Sequence, residues 1–355
     1  MDKFSAGRKA ASFGNMIAGL VLVIWGLAMA ISGNGNSLRG GAIIVGAVLF
    51  FAGLYLFPTL KYHRAIVNII FLFPLLFAFA VTVIIPLILG IGYSFTDWDG
   101  VRIHSFIGLE NYLKMFRQPG FIWSILITFL FVVINMILVN LTAFLLALLC
   151  TSRLKGLGFF RAAYFLPNLI GGIVLGYIWQ FIFSNVVTKF TSAFFDLKYS
   201  MLAETKTAFL GIIIVYIWQY AGYIMLIYIT GLTTIPEDVL EASAIDGANA
   251  LQTLFAIKIP MIAPTITICT FLTLTSAFKQ FDVNLALTNG TGSVADFMGS
   301  YLTNGTEMLA LNIYSSAVIN NQYALGEAKA VLFFLILATV SIVQVRISNK
   351  KEVEL

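Results

Sequence analysis

The chain has 355 residues, of which 60% are hydrophobic and 10% are charged, and its mean hydropathy is +0.95. Because a soluble domain carries about 25% charged residues, this composition excludes a soluble globule and predicts a membrane protein. The net charge of +5 is typical of basic loops on one side of a membrane and does not indicate a nucleic-acid partner.

Eight apolar runs are long enough to cross a bilayer, which takes about 20 residues per helix. They cover residues 14–32, 42–60, 66–94, 121–150, 160–184, 208–231, 261–278 and 328–346. The seventh run is rich in threonine, whose hydroxyl can bond back to the helix backbone and so keeps the run compatible with a span. We expect an all-α, polytopic membrane protein with about eight transmembrane helices.

Basic clusters predict the orientation of these spans. They precede the first run and follow the second, fourth and eighth runs: Lys3, Arg8 and Lys9; Lys61 and Arg64; Arg153, Lys155 and Arg161; Arg346, Lys350 and Lys351. With an even number of spans all four clusters fall on one side, which the positive-inside rule makes cytoplasmic, together with both termini. The alternative is a cleaved signal peptide ending at "AMA" (28–30), which would leave seven spans and break this pattern.

The first two runs form an accessory N-terminal hairpin, residues 1–64, around the turn "SGNGNSLRGG" (32–41). They contain small residues but no polar cluster. A six-span core is expected over residues 65–350, with a short cytoplasmic tail at 351–355.

The interiors of the apolar runs are expected to be free of Lys, Arg, Asp and Glu. Ion-coupled carriers place ionisable groups there, so a neutral solute and an energy source outside the spans are predicted. The chain has no G-x-x-x-x-G-K-[ST] motif, nucleophile elbow or HExxH motif, and we expect no catalytic residue, no metal and no bound cofactor. Cys150 and Cys269 are expected to be small buried side chains.

An aromatic and amide-rich segment in the sixth run suggests a substrate path. "YIWQ" occurs at 177–180 and again at 216–219; aromatic rings stack on sugars, and amides bond to hydroxyls within largely apolar cavities. The candidate path residues are Trp218, Gln219, Tyr220, Tyr223, Asn135, Asn140, Thr273 and Gln280. An interfacial aromatic belt and hydrogen bonding between helices are the alternatives.

The loop at about 232–261 reads as two short helices. "TIPE" (234–237) has capping-box spacing, which predicts a helix over 235–246, and Gly247 is its natural stop. A second helix is expected from Ala248 to about Ile257, ended by Pro260. Residues 235–257 contain no Lys or Arg, whereas a helix lying on a membrane surface needs them. Docking into a groove on a partner protein is therefore predicted.

The stretch "EASAIDGANALQTLFAIKIP" (241–260) resembles the E-A-A-x3-G-x9-I-x-L-P signature of bacterial ABC importer permeases. Ser243 and Ile259 are its two departures from that signature. "FIGLENYLKMF" (106–116) and "RAAYFLPNLIGGIVLGYIWQFIF" (161–183) are similar to segments of the carbohydrate-uptake branch, which includes maltose and glycerol-phosphate permeases. The resemblance covers about residues 65–350.

The resemblance implies the transmembrane subunit of an ATP-driven importer in the bacterial cytoplasmic membrane, moving a sugar or oligosaccharide. It implies a second homologous permease, two ATP-binding subunits that use ATP and Mg, and an extracellular solute-binding protein as partners. It assigns ATPase coupling to Glu241, Ala242, Ser243, Ala244, Asp246, Gly247, Ala248 and Pro260. Glycerol phosphate or another small polar solute is the alternative cargo, although a phosphate would favour basic residues in the cavity. An ion-coupled carrier and a scaffold without transport activity fit the residues less well.

Overall fold

The computed structural model describes residues 6–31, 38–57, 63–152, 155–190 and 200–349. Within these ranges seven helices are long and apolar enough to cross a membrane, and eight if one bent pair counts as a span. They are numbered here from the first span to the eighth in chain order. The spans are Gly7–Ala30, Leu38–Tyr55, Arg64–Ser94, Pro119–Cys150, Gly172–Phe190, Thr205–Thr233, the bent pair Ala250–Met261 with Ala263–Phe278, and Tyr323–Ile347. This confirms the prediction of an all-α protein with multiple spans.

Backbone contacts divide the chain into two compact units, residues 1–89 and 90–355. The first unit contains the helices Ala6–Ile31, Leu38–Tyr55 and His63–Phe79, and the π-helical turn Ala80–Ile84, while Ile85–Ser94 runs across the division. The sequence analysis divided the chain at residue 64, between an accessory hairpin and the transport core. That division is one of function, and it stays a prediction. The turn at 32–37 and the tail at 351–355 lie outside the described residues.

The first two spans pack backbone against backbone. A Cβ at Gly19 would lie 2.4 Å from the backbone nitrogen of Phe50, and one at Gly53 would lie 2.7 Å from Met16. The buried Ser12 hydroxyl donates to the carbonyl of Gly53 at 2.8 Å. Small residues are what allow two helices to approach this closely in a membrane, so the prediction of a hairpin is confirmed.

The second unit holds the remaining elements. Its helical segments are Glu110–Phe116, Pro119–Cys150, Leu157–Leu169, Gly172–Phe181, Ile182–Val187 (π), Thr205–Thr233, Glu237–Ile245, Ala250–Gln252, Thr253–Lys258 (π), Ile259–Met261, Ala263–Phe278, Asp282–Thr288, Leu309–Tyr314, Ser315–Ile319 (π) and Tyr323–Asn349. Two small antiparallel hairpins pair Thr96–Trp98 with Ile103–Phe106 and Val294–Phe297 with Ser300–Leu302. The core forms where the fourth and sixth spans pack together, for example at Phe131 against Tyr216.

Two predicted runs are interrupted in the structure. The run at 160–184 is split between a helix ending at Leu169 and one beginning at Gly172, with extended backbone at Ile170 and Gly171. Pro167 lies in the last turn of the first helix, where its missing N–H weakens continuation. The seventh span bends by 73° between Met261 and Ala263.

The eighth span begins earlier than its apolar run. The helix starts at Tyr323 and thereby includes Glu327, which is half-buried, and Lys329, which is only 2% exposed. The prediction that the spans carry no ionisable side chain is therefore wrong here. The hydropathy pattern placed Lys329 at the edge of the run, whereas the short apolar helix Leu309–Ile319 packs on these first turns and buries it.

Candidate functional site: the exposed helix pair and the polar groups of the core

The helix pair, Glu237–Ile245 followed by Ala250–Met261, differs from its prediction at the start. The first helix begins at Glu237, with Pro236 as its N-cap in an extended conformation and no side-chain cap. The Thr234 hydroxyl donates instead to the carbonyl of Gly231 in the last turn of the sixth span, at 2.7 Å. The predicted capping box at "TIPE" is thus wrong, because the preceding helix uses the threonine.

The turn between the two helices is fixed from both sides. Gly247 has a φ of 76°, and its N–H donates to the Ala244 carbonyl, while the N–H of Ala248 donates to the Ser243 carbonyl at 3.0 Å. This is a Schellman motif, which needs a left-handed residue where Gly247 stands. The predicted stop at Gly247 is confirmed.

A capping box stands at the start of the second helix. Asn249 is the N-cap, and its side chain accepts the N–H of Gln252 at 2.9 Å, while the Gln252 side chain accepts the N–H of Asn249 at 2.8 Å. The helix therefore starts at Ala250 rather than Ala248, and it continues through Pro260 to Met261. The sequence pattern N-x-x-Q at 249–252 could have revealed this box.

The exposed surface of the helix pair is apolar and acidic. Ile245, Leu251 and Phe255 are 86%, 66% and 65% exposed. A depression of about 460 Å³ between the helices is lined by Asp238, Val239, Ala242, Ser243, Asp246, Ala248 and Ile257. The Glu241 side chain is exposed next to it. Large apolar side chains left open beside carboxylates are a feature of protein interaction sites.

The residues assigned to coupling fall on this surface, but Ser243 is buried and Ala248 is half-buried, whereas Pro260 is exposed. Glu241, Ala242, Ala244, Asp246 and Gly247 are exposed. Ser243 is buried, with its hydroxyl bonded to the carbonyl of Leu240 at 2.8 Å, so it faces into the protein. Sequence reasoning did not single out Asp238, which lies one turn before Ala242 on the same face of the helix.

The predicted path residues divide into two groups in the structure. Asn140 and Thr273 join a buried chain of hydrogen bonds: Tyr228 donates to Asn140 Oδ1 at 2.9 Å, and Asn140 Nδ2 donates to Thr273 Oγ1 at 3.2 Å. This chain ties together the fourth, sixth and seventh spans. Trp218 is exposed and packs edge-on against Trp179, with ring centroids 5.4 Å apart.

The second group has polar atoms that are not fully used. Gln219 Nε2 lies 3.5 Å from the Ile170 carbonyl, at the limit of a hydrogen bond. Tyr220 and Tyr223 are half-buried, and the Tyr220 ring lies 4.4 Å from that of Tyr216. Gln280 is 6% exposed.

Three buried polar atoms on or beside these path residues have no hydrogen-bond partner among the described residues. Among the described residues Gln280 Nε2, the Tyr216 hydroxyl and Asn135 Oδ1 are buried without a hydrogen-bond partner, although Asn135 Nδ2 donates to the Phe131 carbonyl at 2.9 Å. Buried polar groups in folded proteins are nearly always bonded to protein or to ordered water, so these atoms mark places in the core where a water or a bound molecule can donate or accept a hydrogen bond.

Comparison with known proteins identifies the family. Residues 119–352 match the model described as "Binding-protein-dependent transport system inner membrane component". The chain is 42% identical over 287 residues to the probable starch degradation products transport system permease protein AmyD of Thermoanaerobacterium thermosulfurigenes, covering 81% of this chain and 95% of that protein. It is 30% identical to the multiple sugar-binding transport system permease protein MsmF of Streptococcus mutans, over 76% of this chain and 90% of that one.

A solved structure shares the fold. A bacterial ABC transporter involved in alginate import matches with a TM-score of 0.69 and 18% identity, covering 82% of this chain and 97% of the matched chain. The protein belongs to the family of binding-protein-dependent transport system inner membrane components. It is a multi-pass permease component of an importer, and the resemblance found in the sequence is confirmed.

Proposed function

We propose that the protein is the permease subunit of an ATP-driven importer for a sugar or oligosaccharide. The names of AmyD and MsmF support a saccharide cargo. Separate ATPase subunits would bind ATP and Mg and hydrolyse the nucleotide. A second homologous permease, a pair of ATPase subunits and an extracellular solute-binding protein would complete the complex, with both termini of this chain in the cytoplasm.

The single observation that carries the proposal is the helix pair. Its turn is held by a Schellman motif and the start of its second helix by a capping box, so the link between the two helices is fixed by hydrogen bonds on both sides. Its exposed surface has three large apolar side chains and four carboxylates, with no Lys or Arg between residues 235 and 257. Such a surface suits a groove with basic residues on the ATPase, where Glu241 would find a cationic partner.

Reversal of the Glu241 charge tests the coupling role. Glu241→Lys should abolish solute-stimulated ATP hydrolysis by the reconstituted complex, because a lysine would face the basic groove. Glu110→Lys is the matched control, since it makes the same reversal at an exposed glutamate on the helix Glu110–Phe116. Coupled ATPase activity that survives in Glu241→Lys would remove the basis for this docking site.

The substrate path is proposed to run past Gln219, Tyr220, Tyr223 and Gln280. The half-buried rings and the orphaned amide of Gln280 supply the stacking and hydrogen-bonding groups that a saccharide requires. Tyr220→Ala and Tyr223→Ala should each impair uptake while the complex still assembles. Tyr177→Ala, at a ring that is 59% exposed, should leave uptake unchanged. Normal kinetics in both inner variants would indicate that these rings only pack between helices.

A further inference from the structure

The eighth span carries a buried lysine, Lys329, whose ammonium group makes two hydrogen bonds to one neighbouring helix. Lys329 Nζ donates to Asn312 Oδ1 at 2.8 Å and to Ser316 Oγ at 2.7 Å, and both acceptors are on the short apolar helix, Leu309–Ile319. The same ammonium lies 5.0 Å from the centre of the Phe121 ring at the start of the fourth span. A charge in this position must be paired, because desolvating it alone is costly.

The balancing charge is Glu307, which is 7% exposed. Asn312 connects the two groups: its Oδ1 accepts from Lys329, and its Nδ2 donates to Glu307 Oε2 at 3.2 Å. Asn304 donates to the same carboxylate oxygen. One amide thus bridges a cation and an anion, so the position of Asn312 is determined from both ends.

The short apolar helix also lies unusually close to the eighth span. A Cβ at Gly326 would lie 2.7 Å from the Cβ of Ala317, so only glycine permits this approach. Lys329 follows Gly326 by three residues, about one helical turn, which brings its ammonium to the same helix. The contact therefore consists of a close backbone approach and a pair of charge-assisted hydrogen bonds.

The other side of the short apolar helix points towards the proposed path. Tyr314 is two residues from Asn312, about 200° around an α-helix. Its ring packs edge-on against Phe281, with centroids 5.2 Å apart. Phe281 directly follows Gln280, whose buried amide nitrogen lacks a partner among the described residues. A continuous series of contacts thus runs from Lys329 through the helix to the residue beside Gln280.

We propose that Lys329 is a positioning residue for transport. By holding Asn312 and Ser316 it sets the placement of the short apolar helix, and through Tyr314 and Phe281 it sets the placement of the Gln280 amide. The part of this inference that concerns Gln280 rests on the proposed sugar path. The part that concerns the helix does not.

Uptake kinetics test the complete series of contacts. Lys329→Met in the full complex should raise the KM for uptake about 2- to 30-fold, the range over which changes along a contact network alter a distant site. The probe is whichever of radiolabelled glucose, maltose or maltotriose the wild-type complex imports. Lys329→Arg should restore much of the loss, and Ser316→Ala should give a smaller effect in a variant that folds readily. Lys206→Met, at an exposed lysine in the first turn of the sixth span, is the matched control and should leave KM unchanged.

A double variant separates positioning from general destabilisation. If Lys329 acts through Tyr314, the KM of Lys329→Met/Tyr314→Leu should be no higher than that of the worse single variant, because the two changes interrupt one series of contacts. Multiplicative effects, or a fall in the amount of assembled complex with an unchanged KM, would overturn the proposal.

Thiol labelling tests the helix without any sugar. In the full complex, a Cys introduced by Tyr314→Cys should react with a water-soluble maleimide several times faster when combined with Lys329→Met than with Lys206→Met. The native Cys150 and Cys269 are buried and give a low background. Equal rates would overturn the positioning role. If no saccharide is imported but the labelling rates differ, the sugar proposal fails and the helix-positioning role stands.

Discussion

Gly247, at the turn of the helix pair, offers a substitution whose effect is purely conformational. Its φ is 76°, and a Cβ added there would meet no atom within 4 Å. Gly247→Ala therefore introduces no clash, and its cost is that of placing an L-residue in the left-handed region, about 1–2 kcal/mol. If docking needs this turn intact, the population of the competent turn should fall about 5- to 30-fold, since 1.4 kcal/mol corresponds to a factor of ten.

The assay is solute-stimulated ATP hydrolysis by the reconstituted complex, measured across ATPase concentrations so that weakened docking shows as a shifted midpoint. Gly247→Asn should lose much less activity, because asparagine tolerates the left-handed conformation. Gly156→Ala is the matched control: Gly156 also has a positive φ, 84°, and open space around its Cβ, but it lies outside the helix pair. If Gly247→Ala couples as well as Gly156→Ala, the geometry of the turn does not matter for docking and the reasoning fails.

Two further predictions concern other parts of the fold. Gly222→Ala should reduce the free energy of unfolding by about 1–3 kcal/mol or more, because its Cβ would lie 1.8 Å from the carbonyl oxygen of Tyr164. The midpoint of thermal inactivation should fall accordingly, whereas Gly211→Ala, with ordinary contacts at 3.4 Å, should be tolerated. Equal midpoints in the two variants would contradict this packing. Backbone N–H groups of Arg102 and Val101, with His104, lower the pKa of Asp99 in the first β-hairpin. The Asp99 carboxylate therefore stabilises the hairpin fully above its unfolded pKa of about 4, and this stabilisation is lost as the pH falls towards the lower pKa of the folded state. Trp98 fluorescence should change at acid pH in the wild type but not in Asp99→Ala. The same acid transition in both proteins would show that Asp99 does not stabilise the hairpin.

Hydropathy was sufficient to predict the number of spans, because lipid imposes a length on each apolar run, but it did not predict the break after Leu169 or the bend after Met261. It failed at Lys329 for a specific reason. A one-dimensional window cannot show that a second, shorter helix packs on the first turns of the eighth span and supplies Asn312 and Ser316 as acceptors. The apolar part of that helix, Leu309–Ile319, is too short to register as a span.

The helix pair was predictable in outline because the residues that start and stop a helix act locally in the sequence. Gly247 predicts a helix end in the left-handed conformation, and its φ in the structure is 76°. The start was misplaced because Thr234 could cap either the helix that follows or the one that precedes it, and only the structure shows its bond to Gly231. For the path, residue type alone could not separate Asn140, which is bonded across three spans, from Gln280, whose amide nitrogen lacks a partner among the described residues.

The 73° bend between Met261 and Ala263 has a mechanical consequence. Ile262, at the corner, is bonded to both arms: its N–H donates to the Lys258 carbonyl at 3.1 Å, and its carbonyl accepts the N–H of Ile266 at 3.0 Å. Its side chain is buried, and Pro264, just beyond it, has no N–H to donate across the bend. Two arms that are bonded to the same buried residue are expected to move together. A displacement of the helix pair should therefore reach the helix Ala263–Phe278 through Ile262.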